Sequence, residues 1–370
     1  MSFQKGAATF RVFSAEKPIG QEIQDSLKVE AYRKLDPSQV EAIITDVTRG
    51  VSLVGNGTAI DQLDFNYGGN LYFAIRKRES VVNPTIIKEY LNYLIDKEIR
   101  ESGYVPKGKR KKELKEMAIE LAKDQKILKM FGTRVAIVPN TKFVVMDITS
   151  LSKLDDIQEI LEKVIPNNKL RLLDPDTLYN LVTQKETGQY TSLTINDLIV
   201  ANGIGADFLT WLWAVSDTDK LPNNLKVSAC GDLTFRCDSS SKGPMVTRMT
   251  KGTPEGGEPA AAFNDGKKIS AATFRICKGA EVYEVTLDES LLFNKFKQVF
   301  QQDEASEDSD DGEKTEKVKK NPQDDFADRM IAIRSISDIV VDLFKMFVSM
   351  QAENQKLVDS WLKNKWGVGA

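Results

Sequence analysis

Apolar and polar positions alternate over Ala8–Phe13, with Ala8, Phe10 and Val12 on one side, which predicts a short strand. A helical pattern follows from Gln21 to Lys34. Asp36-Pro37-Ser38 interrupts it, and a second helix is predicted to start near Ser38. Leu71–Arg76 is strand-like and rich in aromatics. Asn83-Pro84 then reads as a helix start with proline at the first helical position. Ile86, Ile87, Tyr90, Leu91, Leu94 and Ile95 continue that helix. Gly103 and Gly108 bracket a break, after which Lys111–Lys129 is again helical in period through Leu114, Met117, Ala118, Leu121 and Ala122. Thr133–Val138 and Lys142–Ile148 predict two strands joined at Pro139-Asn140, a hairpin. Leu154–Val164 is an amphipathic helix ended by Pro166.

The second half changes character. Lys226–Arg236, Lys268–Cys277 and Glu281–Leu287 alternate as strands, and the Ser, Gly and Pro content of Ser239–Gly266 predicts a loop between the first two. Ser290–Phe300 reads as helix. Residues 301–324 form a low-complexity charged segment that cannot bury apolar surface, and they are expected to be a flexible linker. From Phe326 onward, Met330, Ile333, Val340, Phe344 and Phe347 make one apolar stripe, the mark of a long amphipathic helix that needs a partner surface. No repeat of fixed period is present. Strands and helices in mixed order predict an α+β fold of mixed antiparallel sheets and long helices in several subdomains. The expected layout is an N-terminal α+β part over 1–75 and a basic helical lobe over 76–135. A hairpin and helix over 136–170 complete the first half. A second α+β part with a loop insert covers 171–300, the linker 301–324, and the terminal helix 325–370.

Composition narrows the chemistry. The 370 residues contain no histidine, which removes imidazole bases, histidine triads and histidine-ligated zinc. Cys230, Cys237 and Cys277 are odd in number and form no CxxC pair, so reduced thiols in a cytoplasmic setting are expected. The first ten residues carry no apolar run of signal-peptide length. The most apolar stretch, Leu198–Val215, holds Asn202, Asp207 and two glycines. Burial of Trp211 and Trp213 in a core or subunit contact is therefore expected rather than a membrane span.

The formal charge of −3 conceals a split. Between Arg76 and Arg134 stand sixteen basic and nine acidic residues, net +7, which leaves −10 for the rest. A basic lobe on an acidic body attracts a polyanion locally. Its centre is Lys107-Gly-Lys-Arg-Lys-Lys112. Lysine and arginine there would meet phosphates without reading bases. Only Tyr104 and Phe131 flank this run, too few aromatics for stacking on single strands to dominate.

Other motifs fail. Gly55-Asn-Gly57 and Gly203-Ile-Gly205 lack the third glycine of a dinucleotide fingerprint and have no Walker lysine. Glu113 with Lys115, and Asp124 with Lys126, read as solvated charges on a helix rather than the clustered carboxylates of two-metal hydrolysis. No nucleophile stands beside a credible base. No catalytic residue, cofactor or metal ligand is expected, and the protein is not expected to be an enzyme.

The order of elements resembles the RdgC family. The strand Leu71–Arg78 followed by Val81-Val-Asn-Pro84-Thr-Ile-Ile-Lys88 is similar to a strand ending in Arg-Lys and a proline-led helix of that family. The likeness continues through the basic helix, the hairpin ending Phe143-Val-Val-Met-Asp147 and the helix Leu154–Val164. It then runs through Gly205-Ala-Asp-Phe-Leu-Thr-Trp-Leu-Trp213, the turn Gly266-Lys-Lys268-Ile and the closing helix around Ile339–Phe347. The loop at Ser239–Gly266 and the charged insert depart from the pattern. The resemblance implies a non-catalytic, sequence-independent binder of double-stranded DNA. It implies a homodimer closed into a ring, associated with the nucleoid, that limits access of a RecA-type recombinase to DNA.

On this reading Arg76, Lys77, Arg78, Lys107, Lys109, Arg110, Lys111, Lys112, Lys115 and Arg134 contact phosphates, and Arg248, Lys251, Lys267 and Lys268 form a second patch where the ring closes. The alternatives are a metal-dependent exonuclease, and a scaffold whose terminal helix and Trp211/Trp213 block bind a protein. No membrane contact is expected.

Overall fold

The computed structural model describes residues 3, 6–27, 49–54, 65–195, 203–218, 221–222, 224–238, 244–250, 256–299 and 321–368. Helical residues at 23–27 agree with the start of the predicted Gln21–Lys34 helix. The remainder of that helix and the one near Ser38 lie outside the described residues.

Twelve described strands join in an antiparallel sheet. They are β1 (Ala8–Ile19), β2 (Arg49–Val54), β3 (Asn66–Tyr67), β4 (Asn70–Val82), β5 (Lys126–Ile137), β6 (Thr141–Met146), β7 (Leu170–Leu172), β8 (Leu225–Cys237), β9 (Met245–Met249), β10 (Lys268–Lys278), β11 (Glu281–Asp288) and β12 (Phe293–Val299). Their order is β2-β4-β5-β6-β1-β12-β11-β10-β8-β9, with β3 on β4 and β7 on β1. The helices are α1 (Pro84–Ser102), α2 (Gly108–Leu121), α3 (Leu154–Val164), α4 (Pro175–Thr183), α5 (Gly203–Ser216), α6 (Gly257–Asn264), α7 (Pro322–Ser349) and α8 (Gln351–Trp366). The fold is mixed α+β, as the sequence predicts.

Two half-sheets meet where β1 pairs with β12, and Phe10 of β1 stacks on Phe293 of β12 with ring centroids 4.8 Å apart. Counted outward from that junction, the third and fourth strands are β5 and β4 on one side and β10 and β8 on the other. In both halves the connection between those two strands carries an insertion. Between β4 and β5 it is the helix pair α1–α2, and between β8 and β10 it is β9 with α6.

The N-terminal half packs Phe13, Phe73, Val135 and Val144 against Ile157, Ile160 and Leu161 of α3. The main core joins the C-terminal half to α5, α7 and α8. Helix α5, apolar but for Asp207 and a few small polar residues, is buried along nearly its whole length, Trp211 and Trp213 included, so the sequence's expected burial of this block holds. Its start lies directly on the β11–β12 turn. A Cβ at Gly205 would sit 1.8 Å from the Glu289 carbonyl oxygen, so only glycine permits the approach.

Several elements differ from the sequence expectation. Ser290–Phe300 contains strand β12, not a helix. An extra residue at Lys295, with φ +54°, bulges the strand, so Phe293 and Phe296 share a face at a spacing of three and imitate a helical period. The helix after Gly108 ends at Leu121. Lys126–Lys129 instead belongs to β5, where twelve residue pairs with β4 outweigh the local pattern. Ser239–Gly266 holds β9 and α6 as well as loop. The stripe from Met330 to Phe347 lies wholly on α7, and the single helix expected over 325–370 is two, α7 and α8, which meet at Met350. Residues 301–320 lie outside the described residues, and Pro322 already opens α7 behind an Asn321 cap. Among the described residues no helix is long and apolar enough to cross a membrane.

Candidate nucleic-acid interface

Strand β5 pairs with β6 only through Val135–Ile137, whereas β4 and β5 stay paired out to Val82 and Lys126. A β-ribbon, flanked on β4 by β2, thus runs beyond β6 and ends in α1 and α2. At the point where β6 leaves, Asp147 accepts hydrogen bonds from the Arg134 backbone N–H and, at 3.1 Å, from the Arg134 guanidinium. Burial raises the Asp147 carboxyl above its usual value despite that pairing.

The helix pair at the ribbon's end is locally encoded. Asn83 caps α1 by accepting from the Thr85 N–H at 3.0 Å, and Pro84 fills the first helical position. Gly103, at φ +74°, ends α1 in the left-handed conformation. The two helices share a small core of their own: Leu94, Leu114 and Ala118 are buried, with Ile87, Tyr90, Leu91 and Ile95 packed beside them.

Helix α2 carries its charge against its dipole. Lys107 is its N-cap and makes no side-chain cap bond. The first turn has no acid and the last turn no base. Lys109, Arg110, Lys111 and Lys112 therefore crowd the positive end of the macrodipole, an arrangement that costs helix stability unless an anion compensates it. Lys107, Lys109, Lys111, Lys112 and Lys115 are all exposed.

Arg110 differs from these lysines. Its Nε and Nη2 donate to both carboxylate oxygens of Glu98 on α1, each at 2.8 Å, and its Nη1 donates to Glu113 at 3.0 Å. Hydrogen bonding by Arg110 lowers the Glu98 carboxyl below its usual range. The same bonds, from Glu98 first and Glu113 second, raise Arg110. The i,i+3 spacing of Arg110 and Glu113 was visible in the sequence. The longer-range partner Glu98 was not.

The other sequence-predicted contacts are placed as follows. Arg76, Lys77 and Arg78 lie on β4 opposite Gly132, Phe131 and Met130 of β5, and only their backbone is described. They belong to the ribbon that bears α1–α2. Arg248 is exposed on β9, paired with Thr234. Lys251 lies outside the described residues. Lys267 is half-buried and donates to Thr247 Oγ1 at 3.0 Å and to Asp265 at 2.9 Å. Lys268 requires correction as a surface contact. Its side chain is fully buried, 2.6 Å from Asp207, which is buried too. Asp207 also accepts from Tyr190 Oη, Ser192 Oγ and the Leu193 N–H, and Lys268 donates to Ser192 at 3.0 Å. Burial, reinforced by Asp207, pushes the Tyr190 hydroxyl well above its ordinary value. The alternation of β10 placed Lys268 at a strand start without showing that this end faces the core. The predicted contacts thus fall into two regions, α2 with its ribbon on one half-sheet and β9–β10 on the other.

Residues 51–182, from β2 to α4 and including the whole ribbon and helix pair, match the family model described as "RdgC: Putative exonuclease, RdgC". Over these residues, about a third of the chain, the protein is similar to the RdgC family. No curated protein matches the chain. The RdgC match ends before α5, so the β8–β10 insertion with Arg248, Lys267 and Lys268 lies outside it.

Proposed function

We propose that this chain is a non-catalytic, sequence-independent binder of double-stranded DNA, and that α2 with its ribbon is where the DNA backbone is met. The observation that carries the reading is the set of five exposed lysines, Lys107 to Lys115, at an uncapped helix start. Exposed lysines there attract phosphate, release counterions and read no base. The same reading makes the protein a homodimer that encloses the duplex and limits access of a RecA-type recombinase. A paired arrangement would present two such helices to one DNA segment.

The family description also names an exonuclease. The chain has no histidine, and among the described residues no three His, Cys, Asp or Glu side chains converge to hold a metal.

Two duplexes of equal length and unrelated sequence should bind with the same affinity in a fluorescence anisotropy titration. End-labelled linear DNA incubated with magnesium or manganese should remain full length. A strong preference for one sequence, or shortening of the label, would overturn the reading.

A further inference from the structure

We infer that Arg110, although it stands in the middle of the basic run, is a positioning residue that locks α1 to α2 and thereby sets where the neighbouring lysines point. This inference rests on the DNA-binding reading of α2. Three observations support it. Both oxygens of Glu98 are engaged by one guanidinium, the planar fork-to-fork pairing that fixes orientation as well as distance. Glu113 takes the remaining edge, so Arg110 meets two carboxylates within the hairpin. The hairpin's apolar cluster has three buried side chains, Leu94, Leu114 and Ala118, all further from the loop than the fork, and in the loop between the helices Pro106 is buried as well. Glu98 lies near the end of α1 and Arg110 near the start of α2, so the fork closes the loop-proximal end where Lys107, Lys109, Lys111 and Lys112 are carried.

A phosphate-contacting arginine and a positioning arginine predict opposite signs for Glu98. If Arg110 held phosphate, Glu98 would compete with the DNA, and Glu98→Ala would tighten binding. If Arg110 positions the helix, Glu98→Ala weakens binding even though it removes a negative charge from the site.

The experiment measures the affinity of full-length protein for a 30-base-pair duplex, a length of about three helical turns, across a salt series, for wild type, Arg110→Ala, Arg110→Lys and Glu98→Ala. The expected result is a loss of about fivefold in all three variants, the scale of a networked surface ion pair. The slope of log affinity against log salt should stay at the wild-type value. Arg110→Lys should fail to rescue, because an ammonium cannot make the fork. Amide exchange in 94–118, measured without DNA, should speed up in the same variants. The inference is overturned if Arg110→Lys binds as wild type, if Glu98→Ala tightens binding, or if Arg110→Ala lowers the salt slope by about 0.9, the loss of one phosphate contact. If wild type binds no duplex, the functional reading falls. The exchange rates then decide this inference alone: faster exchange supports the lock, and unchanged exchange overturns it.

Discussion

The two insertions occupy equivalent places in the sheet, yet they treat basic residues in opposite ways. Between β4 and β5, the α1–α2 hairpin keeps a three-residue core to itself and leaves five lysines of α2 exposed. Between β8 and β10, α6 drives Phe263 into the main core against Trp213, Trp361 and Trp366. The lysines that follow are taken up as well, Lys267 by Asp265 and Thr247, Lys268 by Asp207. Positive charge in the sequence is therefore not the same as positive charge available to a ligand. Lys267 and Lys268 are taken into the structure, whereas the lysines at the start of α2 are held out at some cost to their own helix.

The largest expected effect lies in the second insertion. Lys268→Ala strands the buried Asp207 charge and should lower unfolding stability by about 3–5 kcal/mol in urea titrations. DNA affinity per folded molecule should be unchanged. The hairpin gives the reverse pattern. Changing Lys109, Lys111 and Lys112 together to glutamate should weaken duplex binding by at least about a hundredfold, roughly 2.7 kcal/mol. The melting temperature should hold or rise, since acids at a helix start gain about 0.3–1 kcal/mol each. Intact DNA binding in that variant would move the site away from α2.

A third change sharpens the boundary between hairpin and body. Leu114→Ala removes one of three buried side chains and should cost about 2 kcal/mol, read as faster amide exchange confined to α1–α2, with the body's main transition unmoved. Loss of the whole fold would show that the hairpin is not a separate unit. The smallest effect is pH dependence. Glu98 is held low, so its contribution is present at neutral pH and is lost as pH falls through its folded value. Asp147 is raised by burial, so its contribution is full in acid and is lost as pH rises. As pH falls below the ordinary glutamate value of about 4, exchange corrected for intrinsic rate should increase in 94–118 relative to 133–147.

The sequence conveyed elements whose signals are local. The Asn83-Pro84 start, the Gly103 stop, the α3 helix and the alternation of β8, β10 and β11 are all found where they were predicted. It failed where distant contacts decide. The bulge at Lys295 disguised β12, and pairing with β4 drew Lys126–Lys129 out of a helical pattern. The basic run was legible as charge, and its place on an exposed helix start agrees with that. What could not be read was the fate of each cation. Glu98 lies twelve residues from Arg110 and Asp207 sixty-one from Lys268, separations at which only the fold reveals a partner.

The most direct test of the account is the salt dependence of duplex affinity in wild type and in a variant with Lys107, Lys109, Lys111, Lys112 and Lys115 changed to glutamine. Arg248 and Lys267 changed to glutamine together serve as the comparison. The account predicts a steep wild-type slope that falls by about 0.9 for each α2 lysine engaged with phosphate, and a smaller change in the second variant. A wild-type affinity that ignores salt, or a slope untouched by losing all five lysines, would contradict it.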